Sequence, residues 1–277
     1  AHQVGGLDIQ SLARVQNDFA VNEDDEGQSG DEQPLVSLLA TGGTTGDSKL
    51  GEWAGLTWQT MATIQIEQMP KTDIPACYLV CAPMTHAAGV SSFATMLQGA
   101  SILVMNGMVP DKLLSAIESH RITHLFLPPT AIYMLLAYEG VRDHDYSSLR
   151  YFWYAAAPMS AEKLKEAMAI FGPVMIQTYG QVEAPMLCTV MSVQDHVDAL
   201  ESGNFSRLRS CGTAPPQVKL AVLDDEGNVL PAGKEGEIAV KGDLLMRCYY
   251  KNPEATDAIR VNGWQRTGDI GVLDDEN

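Results

Sequence analysis

From residue 34 to residue 191 the chain alternates short apolar runs with stretches of helical length, and this rhythm narrows the possible folds more than any other feature. The runs Pro34–Leu39, Ala76–Ala82, Ser101–Met105, Ile122–Leu127, Leu149–Ala155 and Val174–Thr178 read as strands, the first of them as a buried one. Trp53–Met69, His86–Leu97, Pro110–His120, Thr130–Glu139 and Ser160–Phe171 read as the helices between them. Pro110 suits a first helical turn, and Ser160 followed by Glu162 makes a good helix start. Strands alternating with helices of about 10–15 residues pair in parallel through right-handed crossovers. The expected class is α/β, with largely parallel sheets flanked by helices.

After Met191 the texture changes. Ser192–Arg209 is polar and reads as irregular. The short apolar runs Val218–Leu223, Glu237–Val240 and Thr267–Leu273 are then separated by turn sequences at Asp224–Asn228, Pro231–Gly233 and Asn262-Gly263. That pattern predicts a smaller, mainly antiparallel β subdomain over 211–277, following an α/β subdomain over 34–210. Residues 1–33 form a separate segment that ends in an acidic run, Asn22–Gln33, read as a solvated linker. The chain stops at Asp274–Asn277, an acidic turn sequence directly after a strand, and domains seldom end on a half-made turn, so the chain is expected to be cut there.

Eighteen Lys and Arg against 35 Asp and Glu give a net charge of −17, which argues against non-specific binding to nucleic acid or anionic membranes. No apolar run is long enough to span a bilayer, and Ala1–Gln10 lacks the basic end and apolar core of a signal peptide. Five scattered cysteines without a CxxC pair suit a reducing, cytoplasmic compartment and do not suggest a cysteine zinc site.

Ligands of open parallel sheets bind beyond the carboxyl ends of the strands, so the residues at those ends are the ones to inspect. The first strand is followed by Thr41-Gly42-Gly43-Thr44-Thr45-Gly46-Asp47-Ser48-Lys49. Its glycines let backbone N–H groups converge, its threonines add hydroxyls and Lys49 adds a cation, a set suited to a polyphosphate. It is not a Walker loop, because Asp47 and Ser48 separate Gly46 from Lys49. Later strand ends carry Pro83–His86, Ala155–Pro158 and Thr178-Tyr179-Gly180-Gln181-Val182-Glu183. Ala155–Ala157 lack bulk, so a planar ring can approach. Tyr179 offers a stacking face worth about 1–3 kcal/mol. Glu183 suits Mg²⁺, which takes one or two carboxylates plus phosphate oxygens. Asp269, after Thr267-Gly268, is placed to accept two ribose hydroxyls. Taken singly, each has a plainer reading: Tyr179 as a rim aromatic, Glu183 as a solvated charge, Asp269 as a turn cap and His86 as a helix-start residue. No GxSxG elbow is present, which disfavours a serine hydrolase.

Taken together and in order, these segments resemble the adenylate-forming superfamily of acyl-CoA and aryl-CoA synthetases, peptide-synthetase adenylation domains and luciferases. Thr41–Lys49 resembles the loop T-S-G-T-T-G-x-P-K, and Pro83–Gly89 resembles P-x-x-H-x-x-G. Ala155–Ser160 resembles G-G-A-P-L-S, and Tyr179–Glu183 resembles Y-G-x-T-E. Gly236–Thr256 resembles G-E-I-x-V-x-G…G-Y-x-x-x-P-E-A-T, and Gly263–Asp269 resembles G-W-x-x-T-G-D.

The resemblance implies ATP-dependent activation of a fatty or aryl acid to acyl-AMP, followed by thioester formation with CoA. It places Thr41, Gly42, Gly43, Thr44, Thr45, Gly46 and Lys49 on the β,γ-phosphates. Ala156, Ala157, Thr178, Tyr179 and Gly180 fall at the nucleotide, and Asp269 at its ribose. His86 and Ala155 border the acyl pocket, Glu183 holds Mg²⁺, and Lys49 and Glu183 carry the catalytic charge. Several positions depart from the pattern: Gly42 stands for Ser, Ser48 for Pro, Val182 for Thr and Cys248 for Gly. The resemblance also implies that an amino-terminal portion precedes Ala1 and that a small domain with a catalytic lysine follows Asn277. Residues 1–277 alone are therefore expected to bind nucleotide but to adenylate poorly. Loading of a carrier protein, and a non-catalytic nucleotide binder on a decayed synthetase fold, are the alternatives.

Overall fold

The computed structural model describes residues 35–42 and 48–275. It opens with an antiparallel hairpin, β1 (Leu35–Ala40) and β2 (Leu50–Ala54), followed by helix α1 (Gly55–Gln68). The alternation then sets in: β3 (Cys77–Val80), α2 (Ala87–Leu97), β4 (Ser101–Val104), α3 (Pro110–Ser119), β5 (His124–Phe126) and α4 (Pro129–Leu136). It continues with β6 (Tyr151–Tyr154), α5 (Ala161–Phe171), β7 (Met175–Tyr179), β8 (Thr189–Met191) and α6 (Val193–Glu201). Strands β3 to β8 form one sheet in the order β4-β3-β5-β6-β7-β8, parallel except where β8 runs against β7.

The sheet is buried on both faces, which is why its strands are almost continuously apolar. Register puts Leu79, Leu125 and Phe152 in one row, on the face covered by Leu113, Leu114 and Ile117 of α3 and Leu164 of α5. The adjoining row, Phe126, Trp153 and Ile176, faces the other way, into the core that holds Trp53 of β2, Met61 and Ile64 of α1 and Val90 of α2. The remaining chain supplies β9 (Val218–Leu223), β10 (Glu235–Gly242), β11 (Cys248–Tyr249), helix α7 (Pro253–Ala258), β12 (Arg260–Val261) and β13 (Trp264–Val272). Four of these strands make an antiparallel sheet in the order β12-β13-β10-β9. Strand β11 instead pairs with β2, completing a three-stranded sheet β1-β2-β11. Among the described residues no helix is long and apolar enough to cross a membrane.

Three expectations need correction. The first strand is not buried: Leu35, Val36 and Leu38 are 42%, 58% and 40% exposed, because β1 is an edge strand of the small antiparallel sheet. Trp53 lies in β2 and not in a helix, which begins at Gly55; the pull on Leu50–Ala54 is its pairing with β1 and with the distant β11. Ser192–Arg209 is not wholly irregular, since α6 starts there on a capping box. In it the Asp195 amide donates to Ser192 Oγ (3.2 Å) and the Ser192 amide to Asp195 Oδ2 (2.7 Å).

His124 of β5 gives the fold a pH response. It is 3% exposed, its Nδ1 lies 2.7 Å from Thr123 Oγ1, and its Nε2 has no partner. Burial lowers its pKa to about 4, so the folded protein keeps it neutral. An unfolded chain takes up this proton near pH 6.5, so the unfolded state binds more protons between the two values. Stability is full above about pH 6.5 and falls as pH drops toward 4, by up to about 3 kcal/mol from this one group. Burial shifts His196 in the same direction. Urea midpoints at pH 7.5, 6 and 5 should fall in that order; a midpoint constant across this range would refute the assignment.

Candidate functional site

The Gly/Thr loop is the connection of the β1–β2 hairpin, so it hangs from the antiparallel sheet and not from the end of a parallel strand. Its mouth is fastened by three bonds. The Thr41 amide donates to the Lys49 carbonyl (2.8 Å), the Lys49 amide to Thr41 Oγ1 (3.0 Å) and Ser48 Oγ to the Thr41 carbonyl (2.8 Å). Ser48, where the resemblance has proline, thus contributes a closing bond. Gly42 and Lys49 are exposed, and the Lys49 ammonium stands 5.2 Å over the ring of Tyr249. Gly43, Thr44, Thr45 and Gly46 lie outside the described residues.

The segment after β7 binds the other parts together. Tyr179 donates its hydroxyl to Asp269 Oδ2 of β13 at 2.6 Å. Burial, and then the Asp269 carboxylate, push the ionisation of this phenol far upward, so it stays a donor. Gly180 is required by close backbone approach, since a Cβ there would meet the Met186 amide nitrogen at 2.4 Å. Gln181 Nε2 donates to the Thr267 carbonyl (3.0 Å). The Val182 carbonyl accepts from Trp53 Nε1 (2.8 Å), while its side chain faces Gly51, where a Cβ would come within 2.8 Å of Val182 Cγ1. Glu183 accepts at Oε1 from the Tyr249 hydroxyl (2.5 Å), and its carbonyl accepts from the Met246 amide (3.0 Å) and Gln265 Nε2 (2.7 Å). Thr178 sits lower, buried, with its hydroxyl accepting from Trp153 Nε1 (2.7 Å).

Beyond β6, Ala156 and Ala157 are exposed and Ala155 is half-buried against the core shared with Trp53. Ala156 has φ 74°, a left-handed conformation that costs a residue with a Cβ about 1–2 kcal/mol. Glycine stands at this position in the resembled pattern. A cavity of about 150 Å³ opens between Trp53, His86, Val90, Gly180 and Met186; Ala155 does not line it. His86 is exposed at the start of α2, with no side-chain capping bond. Among the described residues no three His, Cys, Asp or Glu converge as a metal cage, and Glu183 Oε2 has no hydrogen-bond partner. That donor set fits a hard cation that completes its shell with phosphate oxygens and water.

Sequence reasoning missed Tyr249, Trp53 and Gln265. Tyr249 stood inside the segment Gly236–Thr256, matched as a pattern but given no role, and only the pairing of β11 with β2 brings it to Glu183.

The parallel sheet flanked by helices, followed by the antiparallel β sheet, matches the fold of adenylate-forming enzymes. The chain belongs to the family of AMP-binding enzymes, whose profile matches residues 5–250. It is 35% identical over 246 residues to the medium/long-chain-fatty-acid–CoA ligase FadD8 of Mycobacterium tuberculosis, covering 87% of this chain and 41% of that protein. It is 32% identical over 255 residues to 4-coumarate–CoA ligase 5 of Oryza sativa subsp. japonica, covering 87% and 46%. The amide bond synthetase McbA of Marinactinospora thermotolerans has a similar structure, with a TM-score of 0.78, 28% identity, and 86% and 46% of the two chains covered. So does the O-succinylbenzoate CoA synthetase MenE of Bacillus subtilis, solved with ATP and magnesium, at a TM-score of 0.77, 25% identity, and 88% and 49%. The chain thus spans about half the length of the relatives it matches.

Proposed function

We propose that the full-length protein activates a carboxylic acid with ATP and passes the acyl group to CoA. The observation that carries this reading is the 2.6 Å bond between Tyr179 and Asp269, with Glu183 four residues farther along the same clamped segment. It supports a site in which one backbone stretch meets base, ribose and phosphate together. Tyr179 and the exposed Ala156 and Ala157 are assigned to the adenine, with Gly180 admitting the Met186 main chain beside them and Thr178 supporting from below. Asp269 is assigned to the ribose; its carboxylate retains acceptor sites beside the Tyr179 bond. Lys49 and the loop from Thr41 are assigned to the β,γ-phosphates.

In the reaction proposed, a carboxylate oxygen of the acid attacks the α-phosphorus and the bond to the bridging α–β oxygen breaks. Pyrophosphate leaves and acyl-AMP remains. The CoA thiolate then attacks the acyl carbonyl and AMP leaves. The chain's groups contribute positioning and charge, not proton transfer. Glu183 would hold Mg²⁺, which when bound neutralises phosphate charge. CoA is the proposed acceptor because the similar FadD8 and rice proteins are named CoA ligases. The cavity beside His86 is taken as the acyl site. Among the described residues no acidic side chain lines it, which disfavours an amino acid. Its lining of Leu39, Trp53, Val90, Val182 and Met186 is mainly apolar, so an uncharged alkyl or aryl acid is favoured.

Calorimetric titration of the full-length protein with AMP and Mg-ATP tests the site. Asp269→Ala and Tyr179→Ala should each weaken AMP binding about tenfold or more, from one charged hydrogen bond or one stacked base. Unchanged AMP binding in both variants would sink the assignment. Acyl-AMP formation should follow with benzoate or hexanoate more readily than with an amino acid such as alanine. Nucleotide binding without acyl-AMP from any acid would support a non-catalytic binder, the reading that Val182 in place of a hydroxyl residue favours.

A further inference from the structure

The segment Asn252-Pro253-Glu254-Ala255-Thr256 has a clear sequence pattern but was given no role above. Its hydrogen bonds lead to the site nevertheless. Asn252 Oδ1 accepts from the Ala255 amide (3.0 Å) and starts α7. The turn so fixed holds Thr256, 4% exposed, whose hydroxyl donates to the Asn252 carbonyl (2.9 Å) and accepts from the Tyr249 amide (2.9 Å). Tyr249 is 5% exposed and sits in β11 opposite Gly51, two residues after Lys49. From that one side chain, the hydroxyl reaches Glu183 Oε1 and the ring lies under the Lys49 ammonium.

We propose that Tyr249 is a positioning residue that fixes the Glu183 carboxylate relative to Lys49, so that metal-side and phosphate-side charges are held at a set separation before nucleotide arrives. This assignment rests on the nucleotide reading above. Glu183 has its backbone pinned by Met246 and Gln265, so its remaining freedom is side-chain rotation, and the Tyr249 hydroxyl removes it. The bond occupies only Oε1 and leaves Oε2 for a cation. The Tyr249 hydroxyl is the donor in this bond. Groups that orient a metal ligand commonly alter metal affinity about 10–100-fold when removed.

The test is Tyr249→Phe in the full-length protein, which deletes the hydroxyl and keeps the ring beneath Lys49. ATP binding is titrated at a series of Mg²⁺ concentrations, with AMP binding in the absence of Mg²⁺ as the control for an intact pocket. The Mg²⁺ concentration needed for half-maximal ATP binding should rise about tenfold, while AMP affinity and the circular dichroism spectrum stay as in the unmodified protein. Thr256→Val, which leaves Tyr249 in place but frees its amide, should raise the Mg²⁺ requirement by a smaller factor. An unchanged Mg²⁺ requirement in a folded Tyr249→Phe protein would overturn the positioning role alone. A parallel loss of AMP affinity would overturn it too, by showing a general structural effect. Failure of the unmodified protein to bind ATP in a Mg²⁺-dependent way would overturn the nucleotide reading, and this assignment with it.

Discussion

Glu183→Gln should lower ATP-dependent acyl-AMP formation by about 10²–10³-fold, the cost of removing one preorganised charge-stabilising group from a transition state. The substitution suits the site because glutamine keeps a carbonyl oxygen that can accept from Tyr249, whose hydroxyl lies 2.5 Å from Oε1. The backbone contacts of residue 183, to Met246 and Gln265, do not involve the side chain and should persist. Fold and AMP affinity are therefore expected to be untouched, and the loss should appear in pyrophosphate exchange at saturating ATP. A rate within threefold of the unmodified protein would mean that this carboxylate does not carry the metal.

Gly180→Ala should be severe for a different reason. The added Cβ would lie 2.4 Å from the Met186 nitrogen, 2.6 Å from its Cα and 2.7 Å from its carbonyl carbon. All three are main-chain atoms, so no side-chain rotation relieves the contact. The stretch cannot easily swing away either, because the Cys188 amide donates to the Tyr179 carbonyl (2.8 Å) and the Gln181 amide to the Ala184 carbonyl (3.0 Å). Overpacking of this kind costs about 1–3 kcal/mol. It should also displace Tyr179 and Glu183, so AMP binding should fall by at least about tenfold, equivalent to 1.4 kcal/mol. Urea unfolding and calorimetry on one preparation would check both; an unaltered midpoint with unaltered AMP affinity would show that the segment yields more freely than its hydrogen bonds imply.

Much of the scaffold was legible because it is encoded locally. Each apolar run of the parallel sheet is flanked by its own helix, and the helix starts at Pro110 and Ser160 are set by neighbouring residues. The order of Tyr179, Glu183 and Asp269 could likewise be read from their motifs, and the structure brings Tyr179 to Asp269. The hairpin was not legible. Leu50-Gly51-Glu52-Trp53-Ala54 contains a glycine and a buried glutamate, and lacks the alternation that marks a strand. It becomes one because β1 pairs on one side and β11 on the other. Glu52 tolerates burial because Arg247 Nη2 meets its Oε2 at 2.6 Å, a partner no local pattern announces. The exposed apolar side chains of β1 misled for the converse reason, since hydrophobicity marks a strand without saying which of its faces is covered.

The union of β2 with β11 also orders events in time. Arg247 and Glu52 are 195 residues apart in sequence, and at about 5–20 residues per second a ribosome needs roughly 10–40 seconds to make that interval. The parallel sheet can assemble as it emerges, but β2 must wait for its second neighbour, and Glu183 for Tyr249. A nascent chain therefore acquires its parallel sheet before its charged groups are set, and Glu183 gains its last partners only after β11 and then β13, which carries Gln265 and Asp269, have left the tunnel.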